Sequence, residues 1–173
     1  MRGILIVLLV LLAACTAGED DTKKKVDMHD AAGDVLGTAT FTEEPEGVSI
    51  KLKLEGLEPG FHGIHVHEHA KCDAPDFISA GDHYNPDDKD HGLMHPKGSH
   101  VGDLPNIEVD GAGKVDAELM LPEATLLDGK NSLTREEGTS LIVHEAQDDG
   151  VSQPSGDSGA RILCGKITAA EKE

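Results

Sequence analysis

Eight of the ten histidines in this 173-residue chain fall between residues 61 and 104: His62, His65, His67, His69, His83, His91, His95 and His100. His65 and His67 flank a single valine, Val66. On a β-strand, positions i and i+2 share a face. The two imidazoles can therefore reach one metal ion together while Val66 turns into an apolar layer. A stretch rich in Gly, Pro and Asp follows, carrying His83, His91, His100 and Asp103. Three imidazoles and one carboxylate form a closed tetrahedral set of the kind zinc prefers. Much later, Leu141-Ile142-Val143-His144 offers one more histidine on a strand-like run. A histidine-rich tract can also be a loose metal-binding segment. Here strand and turn signals space the histidines, which points to a folded site.

The elements that must position these residues read as short alternating runs separated by turns. Strands are expected over 26–31, 35–42, 48–55, 61–68, 106–110, 115–121, 139–144 and 161–168. In Ser49-Ile50-Lys51-Leu52-Lys53-Leu54 the apolar residues share one face and the lysines the other. Glu44-Pro45-Glu46-Gly47, Glu58-Pro59-Gly60 and Asp110-Gly111-Ala112-Gly113 are turns. No long helix and no repeat is evident. About 150 residues of this kind make one all-β domain, with long connections at 70–105, 122–138 and 145–160. Loops of that length in a compact domain are usually functional.

The chain opens differently. Arg2 precedes a short apolar run over 4–14, too short for a transmembrane helix and fitting a secretory signal. It ends Leu12-Ala13-Ala14-Cys15, which resembles the bacterial lipobox, whose cysteine is lipidated and becomes the mature N-terminus. By analogy with bacterial sorting, Thr16 after the cysteine points to the outer membrane. Residues 16–25 (TAGEDDTKKK) hold no large apolar side chain and read as a flexible tether. The expected organisation is a signal peptide over 1–14, a lipidated N-terminus and tether over 15–25, and one domain over 26–173.

Taken together, these pieces resemble the copper/zinc superoxide dismutase family. The resemblance rests on Gly63-Ile64-His65-Val66-His67-Glu68, Ser79-Ala80-Gly81-Asp82-His83-Tyr84-Asn85-Pro86, His91-Gly92, His100-Val101-Gly102-Asp103-Leu104, Val143-His144-Glu145 and Gly159-Ala160-Arg161-Ile162-Leu163-Cys164-Gly165. They stand in the family's order and span roughly residues 25–168. The resemblance implies an eight-stranded antiparallel Greek-key β-sandwich or barrel, immunoglobulin-like, with long metal-binding and active-site loops. It implies one copper ion per subunit on His65, His67, His83 and His144, and one zinc ion on His83, His91, His100 and Asp103, with His83 bridging the two. It makes Arg161 the residue that pairs with superoxide and Asp148 the carboxylate joining His65 to His91, with Asp149 its nearest alternative. His62 becomes a structural histidine beneath the copper strand, and Cys72 a disulfide partner of Cys164. His29, His69 and His95 have no ligand counterpart and read as surface residues. The reaction implied is dismutation of superoxide to dioxygen and hydrogen peroxide in the bacterial periplasm or cell envelope. Partners would include the membrane through Cys15, a second copy of the chain and a copper chaperone.

The chain departs from the family pattern in charge. Its formal net charge is −18, which repels an anionic substrate at long range and argues against nucleic acid as a partner. Residues 145–160 carry no Lys or Arg and are fewer than in the eukaryotic enzymes. Steering is then expected from Arg161, the metals, or Lys71, Lys89, Lys97 or Lys130. Cys72 also falls early between His67 and His83. Two other functions compete. A dismutase-like domain that stores or delivers copper without catalysis predicts a missing copper ligand or arginine, and neither is missing. A zinc hydrolase needs an open zinc position and a carboxylate base. The three histidines and Asp103 close the zinc, and Glu68 and Glu145 point to the opposite face from the ligands they follow.

Overall fold

The computed structural model describes residues 21–169. The signal peptide, Cys15 and most of the tether expected from the sequence lie outside the described residues. Nine strands run in order: β1 (Lys23–His29), β2 (Val35–Glu44), β3 (Gly47–Glu55), β4 (Gly60–His62), β5 (Ile64–His67), β6 (Ile107–Val109), β7 (Lys114–Leu121), β8 (Thr139–His144) and β9 (Arg161–Ile167). The helical content of the described residues is one short 3-10 turn, Ile78–Ala80. Seven strands form one curled antiparallel sheet in the order β5-β8-β9-β1-β2-β3-β7, and β4 pairs with β6 in a second, small sheet. This is the all-β Greek-key architecture expected, with two corrections.

The first correction concerns the run 61–68, which is two strands rather than one. β4 pairs with β6 through His62 opposite Ile107. At Gly63 the chain changes partner, donating to the Ala146 carbonyl and accepting from the His144 N–H, both at 2.8 Å. β5 then pairs with β8. The second concerns the tether. Lys23, Lys24 and Lys25 lie opposite Thr42, Phe41 and Thr40 in β1, because β2 is long enough to offer them ladder partners. β1 ends instead at His29, where the Asp30 carboxylate takes the N–H groups of Ala32 and Asp34 at 2.9 Å and closes the turn.

Period-two alternation decides what lies inside. Ile50, Leu52 and Leu54 of β3 pack with Ala39 and Phe41 of β2, Met28 of β1 and Leu141 and Val143 of β8 in one apolar core. Ile64 and Val66 of β5 enter the same core, so His65 and His67 take the opposite face. Those two histidines are nevertheless fully buried, because the connection over 70–105 folds back across them.

Three devices hold the long connections down. Tyr84 extends the sheet locally: its N–H donates to the Val66 carbonyl at 2.8 Å and its carbonyl accepts from Gly102 at 2.9 Å. The Glu43 carboxylate of β2 takes the Thr125 hydroxyl at 2.7 Å and the Leu126 N–H at 2.6 Å, anchoring residues 122–138. A Cys72–Cys164 disulfide, with Cα atoms 5.7 Å apart, ties the 70–105 connection to β9 across 92 residues.

A bridge closing a loop of that length limits the unfolded chain by about 4 kcal/mol in the chain-entropy model. Cys72→Ser is therefore expected to lower stability by about 3–5 kcal/mol, measured by guanidinium unfolding of the metal-free protein. A loss below about 1 kcal/mol would show that the loop holds its place without the bridge.

Candidate metal centre

The site is built from two strands and one loop. β5 supplies His65 and His67, β8 supplies His144, and the 70–105 connection supplies His83, His91, His100 and Asp103. Isolated bridges set His83 beside His67 and Asp103 beside His65. At the far end of β8 the register with β9 slips between Val143 and His144, so His144 stands opposite Arg161. A bulge of this kind re-aims side chains, and here it brings a histidine and an arginine to one rim.

Each imidazole on the strand side is committed at one nitrogen. His65 Nε2 meets Asp148 Oδ2 at 2.8 Å, and His67 Nδ1 donates to the Gly81 carbonyl at 3.0 Å. His83 Nδ1 meets Asp103 Oδ1 at 3.0 Å, and His144 Nδ1 donates to the Gly159 carbonyl at 3.3 Å. Their other nitrogens, His65 Nδ1, His67 Nε2, His83 Nε2 and His144 Nε2, are buried with no hydrogen-bond partner among the described residues. The four residues bring donor atoms within 4.8 Å of one another. Buried polar atoms are rarely left unpaired, and partners that fix the tautomer from behind are the mark of metal-binding histidines. Four converging imidazole nitrogens fit copper.

The second set gathers on one carboxylate oxygen. Asp103 Oδ1 lies 3.0 Å from His83 Nδ1, 3.1 Å from His91 Nδ1 and 3.3 Å from His100 Nδ1. His83 Nδ1 and His100 Nδ1 are 3.4 Å apart. Bonds of about 2 Å in a tetrahedron require edges of about 3.3 Å, so this spacing fits zinc. Asp103 Oδ2 is steadied by the N–H groups of Gly92 at 2.8 Å and His100 at 3.0 Å. By mutual distance the cluster is His65, His83, His91 and Asp103, with His65 in the place of His100. The bonding of His65 places it elsewhere: Nε2 is held by Asp148, and its free Nδ1 belongs to the other four. His83 faces both sets, one nitrogen to each.

The supporting residues divide as follows. Asp148 takes His65 at Oδ2 and His91 Nε2 at Oδ1, 3.1 Å away. The neighbouring Asp149 turns outward and caps the N–H groups of Val151 and Ser152 at 2.9 and 2.8 Å. His62 is buried between the carbonyls of His144 at 2.7 Å and Glu58 at 2.9 Å. Arg161 donates to the carbonyls of Phe77 and Gly81, both at 2.8 Å. The Gly81 carbonyl thus serves both Arg161 and His67. Its backbone sits at φ +79°, and a Cβ there would come within 2.7 Å of Glu68 Oε2 and 2.8 Å of His69 Cδ2, so only glycine fits. His69 is half-exposed beside Glu68 and Glu137, and His95 lies 3.7 Å from Asp90. His29 is at the end of β1. Two residues in contact with this framework, Asn106 and Gln153, carry no sequence signal that marks them.

Electrostatics follow from burial. Desolvation holds His65 below and His67 well below the ordinary imidazole range, and lowers His83 to about 4 and His144 to about 3. Burial would also depress His91, but its bonds to Asp103 and Asp148 overcome that and raise it to about 9. Burial would raise Asp103 and Asp148. Hydrogen bonds from His100, His83 and His91 to the first, and from His65 and His91 to the second, hold both below the usual carboxylate range. Burial lowers Arg161.

Comparison with known proteins gives a consistent picture. The family described as copper/zinc superoxide dismutase (SODC) matches residues 35–167. The Cu-Zn superoxide dismutase 2 of Aquifex aeolicus is 41% identical over 96% of this chain and 98% of its own length. A solved SOD-like protein from Bacillus subtilis superposes with a TM-score of 0.81 at 40% identity, covering 83% of this chain and 97% of that one. The Cu/Zn superoxide dismutase from Brucella abortus gives 0.69 at 34% identity, covering 84% and 99%.

A pH dependence follows for the metal-free protein. In the unfolded chain these imidazoles take protons near pH 6.5, whereas folded His83 and His144 resist down to about 4 and 3. Below about pH 6.5 the unfolded state binds more protons, so stability falls as pH falls. His91 acts in the opposite sense: its contribution is complete below the unfolded pKa and is lost as pH rises through about 9. Urea midpoints of the metal-free protein should peak at about pH 7 and fall on both sides. A midpoint unchanged down to about pH 5 would contradict the assigned burial.

Proposed function

Because the chain belongs to the copper/zinc superoxide dismutase family and catalyses that family's reaction with copper and zinc, we propose a division of labour among its residues. His65, His67, His83 and His144 hold copper; His83, His91, His100 and Asp103 hold zinc. The observation that carries this reading is the set of four buried ring nitrogens with no hydrogen-bond partner among the described residues. Copper bound there supplies one-electron chemistry, alternating between Cu(II) and Cu(I), while zinc has none of its own. Two superoxide ions and two protons give one dioxygen and one hydrogen peroxide.

The chain's own groups do the rest. Arg161, at the rim opposite His144, binds the superoxide anion; a guanidinium keeps its charge and offers directed donors. Its donation to the Phe77 and Gly81 carbonyls fixes its direction without neutralising it. His83 would turn Nε2 to the copper set and Nδ1 to the zinc set, and Nε2 would be the atom to hold a proton whenever it is not a ligand. Asp148 keeps His65 and His91 in fixed tautomers. His62 props the His144 backbone from below.

Long-range attraction is weak in this reading. Lys71 is paired with Glu137 at 3.2 Å, Lys89 with Glu123 at 3.1 Å, and Lys130 with Asp87. Three of the four lysines considered for steering are thus neutralised, and Arg161 remains the cation in place at the site.

The reading extends to the ends of the chain. Residues 1–14 are a signal peptide and Cys15 is the lipidated N-terminus of a protein held at the outer membrane, followed by a tether. The chain then protects the cell envelope from superoxide; self-association and delivery by a copper chaperone belong to the same reading. The disulfide suits an oxidising compartment. Mass spectrometry of the protein from bacterial envelopes should find a mature chain that starts at Cys15 and carries acyl chains. An unmodified start elsewhere would remove the anchor.

The central experiment measures dismutation by the purified protein reconstituted with copper and zinc. Fast, copper-dependent activity is expected, with loss in His144→Ala and a fall in kcat/KM of about tenfold or more in Arg161→Ala. Stoichiometric binding of both metals without activity above free copper would leave a copper-handling protein instead. Because the net charge is −18 and Lys71, Lys89 and Lys130 are paired with carboxylates, kcat/KM should not fall as salt is raised to shorten the screening length. A several-fold fall would reveal an attractive field missed here.

A further inference from the structure

Two side-chain amides with no part in the reaction grip the backbone beside the zinc ligands. Gln153 Oε1 accepts from the His91 N–H at 2.8 Å, while its Nε2 donates to the His91 carbonyl at 2.9 Å and to that of Val151 at 3.0 Å. Asn106 does the same for Asp148. Its Oδ1 accepts from the Asp148 N–H and its Nδ2 donates to the Asp148 carbonyl, both at 2.8 Å. Each amide offers a loop residue the donor and acceptor that a neighbouring strand would otherwise provide. The two gripped residues are then joined by their side chains, His91 Nε2 to Asp148 Oδ1. Gly156 closes over that bond. Its φ is +66°, and a Cβ there would fall 1.8 Å from Asp148 Oδ1 and 2.9 Å from His91 Nε2.

We propose that Gln153 and Asn106 are positioning residues for the zinc set, two ends of one clamp that fixes the backbones of His91 and Asp148 so that the His91 ring points at Asp103. The proposal rests on the reading that His83, His91, His100 and Asp103 bind zinc. Asp148 orients the His91 ring, but a ring bond cannot fix where the ring's own backbone sits, and Gln153 supplies that second constraint. A tetrahedral site tolerates ligand displacements of only about 0.2 Å, so both constraints count. The clamp also gives residues 145–160 a role that does not depend on charge. They carry no Lys or Arg, yet Asp148, Gln153 and Gly156 all bear on His91.

Gln153 lies at the surface while its bonds reach the buried His91, so its truncation opens no core cavity. Zinc affinity is measured by competition with a chromophoric chelator in the full chain, for Gln153→Ala, Asn106→Ala, Asp148→Ala and the Asn106→Ala/Asp148→Ala pair. Cobalt(II) placed in the zinc site reports ligand geometry by its absorption spectrum. Each single variant should weaken zinc about 10–100-fold, the usual loss for partners behind a metal ligand, and shift the cobalt bands. Because Asn106 acts through Asp148, its substitution should add less than about twofold once Asp148 is gone. Unchanged zinc affinity and cobalt spectrum in Gln153→Ala and Asn106→Ala, with only a lower melting temperature, would overturn the clamp. His91→Ala separates the failures. If it too leaves zinc binding intact, the zinc assignment has failed; if it abolishes binding while the amide variants do not, only the clamp has.

Discussion

Four imidazole nitrogens face one another in a buried space with no hydrogen bond from the described residues to satisfy them. That is the constraint on which the rest of the structure depends. Protonation would relieve the lone pairs only by creating buried charge, and burial holds these rings neutral. A cation is what reconciles neutral, deprotonated, inward-facing nitrogens with burial. The cost of the arrangement in its absence explains why the surroundings are so heavily tied down. Every ring is held from behind by a carbonyl or carboxylate, and two of the carbonyl partners, Gly81 and Gly159, lie on the long connections.

Those connections are held by polar devices rather than by apolar mass. The barrel core is complete on the inner face of β5, where Ile64 and Val66 enter it. The outer face has only a small apolar cluster, Phe77, Ala80, Ile142 and Cys164. Order over the metal residues must therefore come from the disulfide, the Tyr84 ladder, the Arg161 bonds and the Asp103 and Asp148 carboxylates. One consequence is economy of parts: the Gly81 carbonyl orients His67 and Arg161 together. A movement of that peptide would disturb both. Lys71, Lys89 and Lys130 are spent on carboxylate neighbours and leave the net charge of −18 standing.

The sequence by itself determined the fold class and the chemistry. Alternation in β3 placed Ile50, Leu52 and Leu54 inside and the lysines outside, and the ladder keeps that assignment. β8 runs over Thr139–His144, as read from the alternating runs and turns of the sequence. The spacing of His65 and His67 requires a shared face, because the strand period is fixed by backbone geometry. Local rules of this kind need no knowledge of what lies across the sheet.

What only the tertiary structure decided are the questions that local rules leave open. The run 61–68 reads as one strand, yet at Gly63 its backbone changes partner from β6 to β8, and pairing is a property of two strands rather than one. Residues 23–25 carry three lysines and read as tether; β2 offered them ladder partners, and backbone bonds do not depend on side-chain polarity. Asp148 and Asp149 are indistinguishable in sequence, and the turn at Gly150 sends one inward and the other to cap its own loop. His65 and His100 compete for the zinc set by distance and are separated by which nitrogen is already bonded. Asn106 and Gln153 carry no signal at all. An amide binds any backbone it meets, and only the folded chain determines that they meet Asp148 and His91.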